Sequence, residues 1–134
     1  MTYPIDHVHV KSQDPDASAA WFQEAFGFEI MEAVVRGQGD RFIRMRDSKG
    51  LPFTVSGARP GEELAPASAD VHWGLEHFGI LVEDLDAEIE RLTGMGAELK
   101  EGPIDQTSEG YPIVAFMAVP GDVRVELVMW PKKD

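Results

Sequence analysis

The chain predicts an α+β fold: two tandem strand-helix-three-strand modules that form a cupped mixed sheet. Three observations carry that expectation. First, His7-Val8-His9-Val10-Lys11-Ser12-Gln13-Asp14-Pro15-Asp16-Ala17 is partly repeated, without a gap, as His77-Phe78-Gly79-Ile80-Leu81-Val82-Glu83-Asp84-Leu85-Asp86-Ala87. His7 then corresponds to His77, Asp14 to Asp84, Asp16 to Asp86 and Ala17 to Ala87. Second, each copy leads into one helical pattern followed by three strand-like runs. Third, Gly57 to Asp70 is rich in Gly, Pro, Ala, Ser and Glu with no period, which suits a linker. The 134 residues thus read as one domain, with a first module at about 5–58, a linker at about 59–73 and a second module at about 74–131.

The elements follow in order. Ile5 to Ser12 alternates as a strand, with Val8 and Val10 on one side and His7, His9 and Lys11 on the other. Asp14 is an N-cap, and Pro15 suits the first helical position, where its missing N–H costs nothing. That helix runs to about Phe26, buries Trp21, Phe22, Ala25 and Phe26, and stops at Gly27. Phe28 to Val35, Asp40 to Arg46 and Leu51 to Val55 are strands, punctuated by Gly37-Gln38-Gly39-Asp40 and Asp47-Ser48-Lys49-Gly50. The second module begins with a strand from Trp73 to Val82. Asp84 caps the next helix, whose Leu85, Ile89, Leu92 and Met95 share a face, and Gly94 and Gly96 close it. Ala97 to Glu101, Tyr111 to Val119 and Val123 to Trp130 complete the second set of strands. In the last of these, Val123, Val125, Leu127 and Met129 should face the helices, which leaves Arg124, Glu126, Val128 and Trp130 on the opposite side.

Composition narrows the function classes. Twenty-four acidic against twelve basic residues give a net charge of −12, and no basic patch exceeds Lys132-Lys133, which argues against a nucleic-acid partner. With no cysteine, disulfides, thiolate ligands and a cysteine nucleophile are excluded. No apolar run approaches the roughly 20 residues that span a bilayer, and Met1 to Asp6 lacks the features of a signal peptide. A soluble, cytoplasmic protein without a membrane partner is expected.

The chemistry concentrates on the histidines. Residues two apart in a strand share a face, so His7 and His9 lie together, and the repeat puts His77 where His7 is. If the modules pair about a pseudo-two-fold axis, His7 and His77 converge, and Glu126 reaches the same hollow. A glutamate among apolar strand residues is costly unless its charge is met, and a metal would meet it. Two imidazoles and a carboxylate leave open positions on a divalent ion for substrate or water. The first-module counterpart of Glu126 is about Thr54, a poor ligand, so His7, His77 and Glu126 are expected as three protein ligands. His9 has Gly79 as its counterpart and is expected to line the site, as a donor to it or as a base. Thr54, Arg124 and Trp130 are expected to contact substrate, and His72, at the linker end, is expected to be a solvated residue.

On these residues the chain resembles the vicinal oxygen chelate superfamily, which contains glyoxalase I, fosfomycin-resistance transferases, methylmalonyl-CoA epimerases and extradiol dioxygenases. The carrying pieces are His7 to Asp14, His77 to Asp84, and Pro120-Gly121-Asp122-Val123-Arg124-Val125-Glu126-Leu127. The resemblance implies a glyoxalase-like fold, usually a homodimer, and a divalent ion (Zn, Ni, Mn or Fe) that holds two oxygens of a small-molecule substrate. The subfamily patterns differ from this chain in named places. Extradiol dioxygenases place a histidine and a tyrosine upstream of the glutamate, whereas no histidine lies between Lys100 and Glu126 and Phe116 stands near the tyrosine position. Thr54 replaces the first-module carboxylate of glyoxalase I and the amide of the epimerases, so use of glutathione is not implied. Fosfomycin-resistance transferases share the His, His, Glu set but often carry threonine where His9 stands, and no dense cationic cluster is seen. The expected function is a metal-dependent lyase or isomerase of the glyoxalase type, which chelates substrate oxygens while His9 or Glu126 transfers a proton. The alternatives are a drug-binding protein of the same superfamily, like those for bleomycin resistance, and an Fe(II) dioxygenase.

Overall fold

The computed structural model describes residues 1–133. The chain divides into two compact units, Met1–Pro66 and the residues from Ala67 onward.

The first unit contains β1 (Val8–Lys11), α1 (Pro15–Phe26), β2 (Glu29–Val35), β3 (Arg41–Arg46) and β4 (Pro52–Ser56). Its sheet has the order β1-β4-β3-β2, with β1 parallel to β4 and the other pairs antiparallel. Helix α1 starts where the Asp14 carboxylate accepts a hydrogen bond from the Ala17 N–H at 3.1 Å, next to Pro15 in the first turn. It ends at Gly27, whose φ of 70° is left-handed and is open to glycine at little cost. The core lies between α1 and one face of the sheet. Phe22, Phe28 and Phe53 stack there with centroids 4.8 to 6.3 Å apart, over Ile43, Met45 and Val55. Each such ring or aliphatic chain contributes about 1.5–3 kcal/mol by leaving water. Because strands alternate, the other face carries His9, Lys11, Phe42, Arg44, Thr54 and Ser56.

The second unit contains β5 (Phe78–Leu81), α2 (Leu85–Gly94), β6 (Glu98–Asp105), a 3-10 turn at Thr107–Glu109, β7 (Ile113–Val119) and β8 (Val123–Met129). The sheet order β5-β8-β7-β6 repeats the first, again with its opening strand parallel to its closing one. The repeat extends to detail. Asp84 caps α2 by accepting from Ala87 N–H at 3.1 Å, as Asp14 does for Ala17. A register shift between Leu99 and Glu101 in β6 matches the one between Ile30 and Glu32 in β2. Leu85, Leu92, Ala115, Met117, Val125 and Leu127 form the buried core against α2. Phe116, Arg124, Glu126 and Val128 take the other face of the sheet, as strand alternation requires.

Several expected boundaries shift. Strand β1 spans only Val8–Lys11 of the expected Ile5 to Ser12. Strand β5 begins at Phe78 and not at Trp73, because Gly74 turns the chain with φ 90° and Trp73 is fully exposed. Strand β6 continues past Glu101 to Asp105, because the bulge absorbs the break in alternation that marked its end in the sequence. Strand β7 opens at Ile113, two residues later than the alternation suggested.

Candidate metal and substrate site

The open face of the second unit is built around the register of β5, β8 and β7. Gly79 lies beside Glu126, and Glu126 beside Phe116. His77 directly precedes β5, so its ring reaches over the same row: it meets Phe116 edge-on at 5.1 Å. Its Nε2 lies 3.8 Å from Glu126 Oε2, and both side chains keep partial exposure. Gly79 packs beside this pair: a Cβ there would make ordinary contacts, 3.7 Å from Glu126 Oε1 and 3.4 Å from Val128 Cγ2.

The other nitrogen of His77 is held. Nδ1 is 3.0 Å from Glu76 Oε1, and Arg124 Nε donates to that same oxygen at 3.2 Å. Bonding to His77 first, and then the charge of Arg124, holds the Glu76 carboxyl below the usual carboxylate range. Arg124 is itself buried. It also donates to Glu101 Oε2 at 2.9 Å and to the Ala69 carbonyl at 3.1 Å, and it lies 4.2 Å over the Phe116 ring. The cation expected to face substrate is thus engaged by two carboxylates. Trp130 lies just beyond β8 and is half exposed.

In the first unit His7 directly precedes β1, and its Nδ1 is 2.7 Å from Asp6 Oδ2. This pair repeats Glu76 and His77: in each module an acidic residue immediately before the histidine bonds Nδ1 and leaves Nε2 for other partners. The sequence carried this signal in the parallel dipeptides Asp6-His7 and Glu76-His77, but reading the histidines alone missed it. The His9 ring centroid is 6.4 Å from that of His7. His9 Nε2 lies 2.7 Å from Ser56 Oγ, and its ring meets Phe42 edge-on at 5.8 Å. Burial, followed by the charge of Lys11, lowers the His9 pKa from the ordinary imidazole value. Thr54 is buried beside His9 in the ladder, at the position that Glu126 takes beside Gly79 in the second unit.

The structure therefore brings His77 together with Glu126 in one unit, and His7 together with His9 in the other. No group of three or more His, Cys, Asp or Glu side chains able to hold a metal occurs among the described residues. His72 is exposed, as expected of a solvated residue, and it also has backbone partners. Its Nδ1 and Nε2 lie 2.8 Å and 3.0 Å from the carbonyl oxygens of Asp70 and Leu75, contacts that raise its pKa.

Comparison with known proteins fits this geometry. The family model for the Glyoxalase/Bleomycin resistance protein/Dioxygenase superfamily matches residues 4–127, and the chain belongs to that family. No curated protein matches it. Among solved structures, a glyoxalase family protein from Bacillus cereus is similar, with a TM-score of 0.81 at 19% identity over 96% of this chain and 95% of that one. A glyoxylase/bleomycin resistance protein/dioxygenase domain from Frankia sp. EAN1pec has a TM-score of 0.76 at 19% identity, covering 98% of this chain and all of that one. A mutant fosfomycin resistance protein from Listeria monocytogenes, complexed with Mn(II) and 1S,2S-dihydroxypropylphosphonic acid, has a TM-score of 0.73 at 15% identity over 96% and 93% of the two chains. At these identities the likeness shows the glyoxalase-like α+β fold. No helix of the described residues is long and apolar enough to cross a membrane.

Proposed function

We propose that this protein is a metal-dependent lyase or isomerase that acts on a small oxygenated substrate, with His7, His77 and Glu126 as the metal ligands. The observation that carries the reading is the pairing of His77 Nε2 with Glu126 Oε2 at 3.8 Å while His77 Nδ1 is anchored on Glu76. Ligand bonds of about 2.0–2.2 Å from nitrogen and oxygen span such a separation, so the donor set fits a divalent ion. His7, anchored on Asp6 in the same manner, supports a third bond. When bound by His7, His77 and Glu126, a divalent ion would supply Lewis-acid polarisation of a substrate carbonyl or enolate oxygen. The protein's own groups do the rest. Glu76 and Asp6 orient the imidazoles, and His9 and Glu126 are the groups able to move a proton at the adjacent carbon.

The charge arrangement narrows the substrate class. Lys11, Arg44, Arg46 and Arg124 each have a carboxylate partner: Glu62, Glu32, Glu29, and the pair Glu76 and Glu101. Such compensated cations favour a neutral or singly charged substrate with vicinal oxygens over a densely anionic one. Metal analysis of the purified protein, followed by turnover screens with Ni, Mn, Zn and Fe(II) supplied in turn, tests the reading. A folded protein that binds small oxygenated ligands but no metal would favour the non-catalytic, drug-binding alternative. Cleavage of a catechol with Fe(II) would favour the dioxygenase alternative.

We further propose a cytoplasmic homodimer. Strands β1 and β5 lie at the edges of their respective sheets, and unpaired strand edges favour pairing with another chain. Sedimentation at micromolar concentration is expected to show a dimer, and a monomer would count against this assembly.

A further inference from the structure

We propose that Ser56 is a positioning residue that holds His9 as a hydrogen-bond donor, so that the ring offers Nδ1–H to a substrate oxygen and does not take a proton from carbon. The functional consequence rests on the reading of the site given above, whereas the orientation of the ring stands on local geometry alone.

Ser56 is fully buried, and its Oγ is 2.7 Å from His9 Nε2 and 3.3 Å from Lys11 Nζ. The strand ladders explain the meeting, since Lys11 pairs with Ser56 across β1 and β4, and Phe42 pairs with Ser56 across β4 and β3. His9 is two residues from Lys11 on the same strand and therefore shares its face. An ammonium only donates hydrogen bonds, so the contact from Lys11 occupies one lone pair of Oγ. The hydroxyl keeps a single hydrogen, and a buried hydroxyl hydrogen requires an acceptor. His9 Nε2 is the acceptor at hydrogen-bond distance. A neutral imidazole that accepts at Nε2 carries its proton on Nδ1. The reverse assignment, with Nε2–H donating to Oγ, would set two donors on one oxygen and leave the hydroxyl hydrogen unspent.

The surrounding side chains fix the pieces of this chain. Lys11 also donates to the Gly57 carbonyl at 3.2 Å, which limits its alternatives. Phe42 meets His9 edge-on, and the Arg36 guanidinium lies 4.0 Å over the Phe42 ring. A donor held in this way stabilises negative charge that develops on a substrate oxygen. Accepting the proton from carbon then falls to the Glu126 carboxylate.

Nitrogen NMR of the full-length, 15N-labelled protein tests the proposal at a pH where the ring is neutral. The His9 signals are identified by their loss in His9→Gln. The expected spectrum has Nδ1 protonated and Nε2 unprotonated. Ser56→Ala is expected to abolish this preference, while the backbone amide pattern of α1 and of the second unit is retained. A wild-type spectrum with Nε2 protonated overturns the proposal, and that result does not depend on the variant's folding. An unchanged tautomer in folded Ser56→Ala overturns the role of Ser56. The measurement needs neither metal nor turnover, so a failed metal screen strikes the functional reading and leaves the tautomer assignment standing.

Discussion

Gly79 and Glu126 are partners across the β5–β8 ladder, and from that register the glutamate carboxylate comes within 3.8 Å of His77 Nε2. The equivalent pair in the first unit is reversed: the large side chain is His9 on the opening strand, and the small one is Thr54 on the closing strand. Each module thus presents one large polar side chain from this row of its ladder. The repeat has diverged by exchanging which strand supplies that group.

The ligand assignment predicts that His77→Ala and Glu126→Ala each abolish stoichiometric metal binding and leave a folded protein. Both side chains are partly exposed on the open face, away from the core that α2 covers, so their loss removes donors and little packing. Metal titration followed by calorimetry checks this. Full occupancy in either variant would remove that residue from the ligand set.

Glu76 gives a sharper test, because it supplies no metal bond in this reading. Glu76→Gln keeps a carbonyl oxygen for His77 Nδ1–H but removes the charge that faces both His77 and Arg124. Metal affinity is expected to fall by about 10–100-fold, the usual effect of losing a partner that orients a ligating histidine. Unchanged affinity, measured by competition with a chelator, would show that Glu76 serves Arg124 alone.

Local signals made much of the fold legible in the sequence. Asp14 and Asp84 cap their helices, and Gly27 ends the first, because those features depend on a few adjacent residues. The His7 and His77 equivalence was legible because the repeat has no gap, and alternation alone placed Glu126 and Arg124 on the open face. What alternation could not reveal is who meets them. Arg124 is neutralised by Glu76 and Glu101, which arrive from other segments 48 and 23 residues away. Ser56 was passed over because a buried serine in a strand has no sequence signature, and its role depends on Lys11 and His9 reaching it across a parallel pair. The carbonyl partners of the exposed His72 were hidden for a similar reason, since backbone groups leave no mark in the sequence.

Asp40 predicts a pH dependence of stability. Its side chain is fully buried, and Arg36 donates to it through Nε at 3.1 Å and through Nη2, bonds that hold its carboxyl below the usual carboxylate range. A carboxyl depressed in the folded state stabilises above its unfolded pKa, and that contribution is lost as pH falls through the folded value. Asp40→Asn should therefore be less stable than wild type at neutral pH, with the gap narrowing only below about pH 3.8. Urea midpoints across that range check the sign. A gap that stays constant into strong acid would show that the loss in Asp40→Asn does not come from the carboxylate charge.

His9 separates donor from base. Its ring centre lies 6.4 Å from that of His7, and its Nε2 is engaged by Ser56, so His9→Ala is expected to retain the metal. Turnover should fall by roughly 10²–10⁴-fold, the range for losing a group that assists proton transfer or charge development. Loss of metal in this variant would instead make His9 a ligand. His9→Gln then decides the direction of the effect. A glutamine amide donates an N–H but cannot accept a proton from carbon near neutral pH, so a donor role predicts partial recovery of kcat over His9→Ala. A base role predicts that the two variants are equally slow. The comparison is made at saturating substrate, so that changes in binding do not enter, and equal rates would return the task of proton abstraction to His9.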